Sequence, residues 1–311
     1  MNIIYRHMNK SPHLPTGSSG RCGDKSERRI WLAALAVRLL VFGLIIWSLG
    51  GNGLISLGDS SQYLRLAKGL LDTGTLSDPG FPGLIEGTRP PGYPLYLAAF
   101  LYFGVPLWVA SLIQIMAASF IPIFVMKIGV LLGFERKLVA IAGWFTTLEP
   151  LEVLYSVTLL SDAFGALFFI AGAYFLVRFW RTRAWKNLIL ASLILGAMNY
   201  VRPIALFLYI LIPALILAAG FILERWRWKE HLKAAVVFAA VFYLVLTPWL
   251  ARNYYDFNHW GFLSANSRHL YDYSAVAVRA AAEGTTYEEM RQKMRREISR
   301  ATSGNSLIRK F

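Results

Sequence analysis

The chain has 311 residues, of which 56% are hydrophobic, 14% aromatic and only 16% charged, leaving too little polar surface for an ordinary soluble domain. Its one cysteine, Cys22, excludes an internal disulfide and a cysteine-built metal site, and the five histidines (His7, His13, His231, His259 and His269) lack metal-ligand spacing. The net charge of +14 would suggest nucleic acid in a soluble protein, but the basic residues sit in short loops between apolar runs; with no HExxH, Walker loop or GxGxxG, zinc hydrolysis and nucleotide-driven transport also lose support.

Residues 1 to 29 are polar, carry Pro12, Pro15 and Gly17-Ser18-Ser19-Gly20, and lack the apolar core of a signal peptide, so they read as a disordered cytoplasmic tail. About 20 apolar residues cross a hydrocarbon core. On that rule spans are predicted near residues 30 to 49, 106 to 132, 137 to 154, 162 to 180, 187 to 200, 202 to 222 and 233 to 250. The third and fifth are short or interrupted by polar residues, and 93 to 104 reads as a further partial span or a re-entrant helix. The predicted fold is all-α: a polytopic transmembrane helix bundle of about seven spans.

Loop charge orients it. Arg21, Lys25, Arg28 and Arg29 precede the first span, and Arg136 and Lys137, then Arg178, Arg181, Arg183 and Lys186, then Arg225, Arg227, Lys229 and Lys233 mark every second connection as cytoplasmic. The alternate connections carry Asp59, Asp72, Asp78 and Glu86, or Glu149 and Glu152 without a basic residue, and are read as facing outward. Trp180, Trp185, Trp226, Trp228 and Trp249 fall near span ends, as interfacial aromatics do. Within the loop 50 to 92, Tyr63, Leu66, Ala67, Leu70 and Leu71 recur at helical spacing opposite Gln62, Arg65, Lys68 and Asp72, the pattern of a helix lying in the membrane interface. Residues 251 to 311 are predicted to be a polar outer segment containing the charged helix Tyr287 to Arg300.

The polar punctuation is ordered: GDSSQYLRLAKGLLDTGTLS, TRPPGYPLYLAAF, EPLEVLYSVTLLSDAF, NYVRP and TPWLARNYYDF. Over roughly residues 30 to 265 this succession resembles the membrane module of the GT-C glycosyltransferases, closest to the protein O-mannosyltransferase and aminoarabinose transferase type. The resemblance implies a multispanning enzyme of the cell (inner) membrane. It would take a sugar from a polyprenyl-phosphate donor on the outer face and transfer it with inversion to a protein, lipid or glycan acceptor, with membrane lipids as surroundings and no nucleic acid. Such enzymes continue through further spans or an outer domain, so a chain ending at Phe311 is expected to be a fragment or a minimal form.

Inverting transfer needs a base for the acceptor proton, and the family pattern puts that acid at the start of the first outer loop, where Asp59 stands. The competing reading is a capping box, because Asp59 and Gln62 have the spacing that caps a helix beginning at Ser60. Asp162 is the second acid, placed to orient the acceptor or, with Glu149, to help hold a divalent cation against the donor phosphate; Ser161 or Asp162 could equally cap the next span. Glu152 is a lesser acidic candidate. Arg89, fixed before Pro90 and Pro91, is the expected phosphate clamp, with Arg202 and Arg252 as further cations that could otherwise be snorkelling. Lys68 could meet phosphate or lipid headgroups, and Tyr63 and Tyr93 a sugar or a prenyl chain.

Two other classes remain open at this point. A transporter or lipid-handling protein would carry ionisable groups near the midplane in repeat-related positions, whereas these acids cluster in loops without an internal repeat. A non-catalytic scaffold would keep Asp59 and Asp162 apart.

Overall fold

The computed structural model describes residues 20–79, 85–87, 89–223, 228–263 and 274–302. Thirteen α-helices follow in order among them: α1 (Gly20–Leu49), α2 (Ser60–Thr73), α3 (Gly92–Tyr102), α4 (Leu107–Ala118), α5 (Ile121–Leu132), α6 (Arg136–Leu148), α7 (Pro150–Val157), α8 (Asp162–Thr182), α9 (Trp185–Met198), α10 (Leu208–Leu223), α11 (Trp228–Phe257), α12 (Val276–Glu283) and α13 (Tyr287–Thr302). No strand forms among the described residues; Ser77 and Ile85 make one isolated antiparallel bridge. The all-helical polytopic bundle expected from the apolar runs is the fold observed.

Among the described residues five runs are long and apolar enough to cross a bilayer: Lys25–Ile55, Leu107–Leu132, Asp162–Thr182, Pro203–Ile222 and Trp228–Phe257. The expected third span is instead a helix pair, Arg136–Leu148 and Pro150–Val157, bent by 50°. The break has a local cause. Glu149 is extended, its carboxylate accepts the amides of Leu151 and Glu152, and Pro150 opens α7 where its missing N–H costs nothing. The expected fifth span is the short apolar helix Trp185–Met198, packed between α8 and α11. The first helix starts at Gly20, inside the stretch expected to be a tail, of which residues 1–19 lie outside the described residues.

The main apolar core joins Leu188 and Leu195 of α9 to Phe238, Phe242, Leu246 and Trp249 of α11, with Leu66 of α2 seated on its end. A second core gathers Tyr63, Ala67, Tyr93, Leu97, Ile115, Val157 and Leu159. Most of the apolar face predicted for α2 is therefore buried on protein: Tyr63, Leu66 and Ala67 are enclosed, while Leu71 is exposed and Arg65, Lys68 and Asp72 face outward. The chain after α2 folds back over it, tied by Arg65 Nε to Asp78 Oδ2 at 2.9 Å and by the Glu86 amide to the Leu76 carbonyl at 2.6 Å. Trp249, read as an interfacial aromatic, is instead buried and donates its indole N–H to the Phe262 carbonyl at 3.0 Å. Beyond the bundle, α12 and α13 pack on each other around Val276, Ala280, Met290 and Met294.

Candidate active site

The two alternatives for Asp59 separate cleanly. Asp59 occupies the N-cap position of α2, yet its side chain makes no capping hydrogen bond. Its backbone carbonyl receives the amides of Gln62 and Tyr63, both at 3.0 Å, so the helix starts on main-chain bonds alone. The carboxylate is turned to Arg89, 30 residues away: Nη1 donates to Oδ2 at 2.9 Å and Nη2 to Oδ1 at 2.8 Å, the two-pronged geometry of the strongest arginine–carboxylate contacts. Arg89 Nη2 also donates to Gln62 Oε1 at 2.7 Å, and the guanidinium lies 5.3 Å from the centre of the Tyr63 ring. The three-residue spacing that mimicked a capping box builds an arginine cradle. Burial works against the charge of Arg89, but the hydrogen bond and field of Asp59 outweigh it and hold the pKa above the ordinary arginine value. The acid stays open, with its side chain 52% exposed against 23% for Arg89.

The corner that carries Arg89 is anchored from below. The Gly92 amide donates to the Tyr200 carbonyl at 2.6 Å, and a Cβ at Gly92 would fall 2.5 Å from that oxygen, so the approach requires glycine. Two residues beyond Tyr200, Arg202 forms an ion pair with Asp162. Asp162 opens α8, and neither it nor Ser161 caps that helix through a side chain, which removes the capping alternative here as well. Room for the Arg202 stem comes from Gly165, where a Cβ would sit 3.0 Å from Arg202 Cδ. The two ion pairs are linked by a buried bond between the Tyr63 hydroxyl and Ser161 Oγ at 2.9 Å. Asp59 and Asp162 thus stand at one end of the bundle, the same end at which the Leu159 amide meets the Leu54 carbonyl at 2.8 Å.

Arg252 belongs to the same end. It pairs with Asp256 at 2.8 Å, one turn on, and its guanidinium lies between the rings of Trp249 (4.5 Å) and Phe257 (4.9 Å) while feeling the charge of Glu86. Asp256 was not singled out from sequence, although its four-residue spacing from Arg252 on a helix was a readable signal. Lys68 is exposed on the solvent side of α2.

Tyr63 and Tyr93 differ from the expectation of sugar or prenyl contacts. They are 5% and 1% exposed, with ring centres 5.0 Å apart, and they support the site from beneath. The Tyr93 hydroxyl donates to Gln114 Oε1 at 2.8 Å. Gln114 Nε2 in turn reaches the carbonyls of Thr158 (2.7 Å), Tyr155 (3.0 Å) and Ser156 (3.1 Å), closing the last turn of α7. Gln114 was missed because a lone polar residue in an apolar span announces a partner without naming it. Glu149 is engaged in capping α7 and Asp162 in its bond to Arg202. Among the described residues no three His, Cys, Asp or Glu side chains converge.

A family model described as dolichyl-phosphate-mannose-protein mannosyltransferase matches residues 88–253, just over half of the chain. The match begins beside Arg89 and takes in Asp162, Arg202 and Arg252. No curated protein and no solved structure matches the chain.

Proposed function

We propose, for a chain that belongs to the dolichyl-phosphate-mannose-protein mannosyltransferase family and is an integral multi-pass membrane glycosyltransferase of the GT-C kind, that the end of the bundle bearing Asp59 transfers a sugar from a polyprenyl-phosphate donor to an acceptor hydroxyl with inversion. The observation that carries this reading is the contact between a candidate base and a candidate phosphate clamp: Arg89 is held by Asp59 and Gln62 through three short hydrogen bonds.

A donor phosphate presents the same paired oxygens as a carboxylate, so it competes with Asp59 for the Arg89 fork. When it takes the fork, the Asp59 oxygens are freed beside the sugar. Asp59 then accepts the proton of the acceptor hydroxyl as that oxygen bonds to the anomeric carbon from the face opposite the phosphate. The bond from anomeric carbon to phosphate oxygen breaks, and its electron pair leaves with the polyprenyl phosphate, whose charge Arg89 meets. Asp162, anchored by Arg202, is suited to orienting the acceptor. The alternation of basic connections supports a cytoplasmic N-terminus and an outward-facing site in the cell membrane.

The test is transfer of labelled sugar from polyprenyl-phosphate donors by the purified protein, wild type against Asp59→Asn. Undiminished transfer by a folded Asp59→Asn protein removes the base from this reading.

A further inference from the structure

Arg38 lies inside α1 in a run long enough to cross the bilayer, and it is 0% exposed. Nη1 donates to the Ala34 carbonyl of its own helix at 3.2 Å, whereas Nε and Nη2 are enclosed without a hydrogen-bond partner in the protein. A guanidinium does not shed its charge, so burial cannot be relieved by deprotonation, and an isolated cation at membrane depth is among the costliest groups a fold can hold. The acid whose charge reaches Arg38 is Glu152 of α7, the short helix that packs against α1. Glu152 Oε1 is likewise enclosed and unpartnered. Two orphaned donors and one orphaned acceptor of opposite charge, on packed helices, are the polar partners that a buried water requires.

We propose that Arg38 and Glu152 form a water-bridged ion pair inside the membrane, and that this pair sets α7 at the height where Ser161 and Asp162 meet Tyr63 and Arg202. The helix α7 needs such ties because it lies between two interruptions. Its start is a 50° bend and its end is an extended Thr158, so its own backbone continues into neither neighbour. Glu149 caps its start, and Gln114 and Ser111 bind the carbonyls at its end. Arg38 supplies a charged tie to its first turn through Glu152. It is a positioning residue, and only that influence on transfer rests on the function proposed above.

Hydrogen exchange of the whole protein in nanodiscs tests the pair without requiring activity. Arg38→Gln and Glu152→Gln should each speed exchange across residues 150–161 at least tenfold. Arg38→Lys and the double variant Arg38→Gln/Glu152→Gln should fall back to within threefold of wild type, because neither leaves one buried charge alone. Leu39→Ala, on the exposed side of α1, should change nothing in that stretch. In transfer assays the single variants should lower kcat at least tenfold with donor KM within twofold, since base and clamp are untouched. Unchanged exchange and kcat in folded single variants overturn the proposal, as does a double variant as perturbed as the two singles combined. If the singles do not fold, recovery of folded double variant supports the pair and failure to recover overturns it. A wild-type protein without transfer counts against the function, while the exchange data still decide the pair.

Discussion

Asp59→Asn separates catalysis from stability more sharply than any other change at the site. Asparagine keeps the shape of aspartate and one accepting oxygen, so Arg89 retains a bond to residue 59, its bond to Gln62 and its place against the Tyr63 ring. What disappears is the charge and one of two charge-assisted bonds. Such a bond contributes roughly 1.5–3 kcal/mol when enclosed, but the Asp59 side chain is 52% exposed, and exposed ion pairs contribute about 0–1 kcal/mol. The stability loss should therefore be about 1 kcal/mol, moving the melting temperature by roughly 2–4 °C. Removal of a general base costs about 10²–10⁴-fold in rate, equivalent to roughly 2.7–5.4 kcal/mol of transition-state stabilisation at 1.36 kcal/mol per decade. The assay pairs labelled-sugar transfer with thermal unfolding in detergent, and the expected outcome is a rate loss of at least about a hundredfold in a protein that melts close to wild type. Equal losses of activity and stability would assign Asp59 to the fold, and transfer within threefold of wild type would refute its role as base.

Arg89→Lys keeps the charge but not the fork, so donor KM should rise by about tenfold or more while the protein stays folded, as seen by initial-rate kinetics. Gly92→Ala places a methyl 2.5 Å from the Tyr200 carbonyl; the corner must shift, with a loss of roughly 1–3 kcal/mol and most of the activity, whereas Gly165→Ala meets the flexible stem of Arg202 and should be milder. Tyr63→Phe removes the bond to Ser161 and should cost about 1 kcal/mol in thermal unfolding, with donor KM nearly unchanged. In a Cys22→Ser background, a cysteine at exposed Ser61 should react with an impermeant maleimide added outside intact cells, and labelling only after lysis would invert the proposed topology.

The bundle was legible because lipid imposes a length on every apolar run, and the runs beginning near residues 30, 106, 162, 202 and 233 form helices long and apolar enough to cross a bilayer. The break at Pro150 was not legible, because the third run reads as one span over 137 to 154. The site was legible in its residues but not in its pairings. Asp59 and Gln62 have one spacing compatible with two uses, and the choice is made by Arg89 arriving from 30 residues away, a distance that no local pattern encodes. For α2, amphipathicity reads as a helix lying in the membrane interface, whereas protein covers Leu66 and Ala67; the pattern does not separate the two, because these residues would be equally apolar against either. Tyr63 and Tyr93 show the same limit: an aromatic near a membrane surface reads as a ligand contact until its neighbours are known.

The pairing of Asp59 with Arg89 also dictates an order of events. While the fork is closed, both carboxylate oxygens receive Arg89 hydrogens, and the guanidinium that should meet phosphate is neutralised by the group that should meet the acceptor. Opening it against water would give up two charge-assisted bonds, whereas opening it against a phosphate exchanges one fork for another at little net cost. An acceptor alcohol offers no such exchange. The donor should therefore bind first, and the acceptor should be activated only in the loaded enzyme. Initial-rate kinetics at varied concentrations of both substrates, with the free polyprenyl phosphate as product inhibitor, measure this directly. Inhibition should be competitive against donor and mixed against acceptor, and Arg89→Lys, whose single-point contact holds Asp59 less tightly, should weaken the ordering. Productive binding of acceptor to the donor-free enzyme would mean that Asp59 is already available, and the fork would then be a structural clasp rather than a gate.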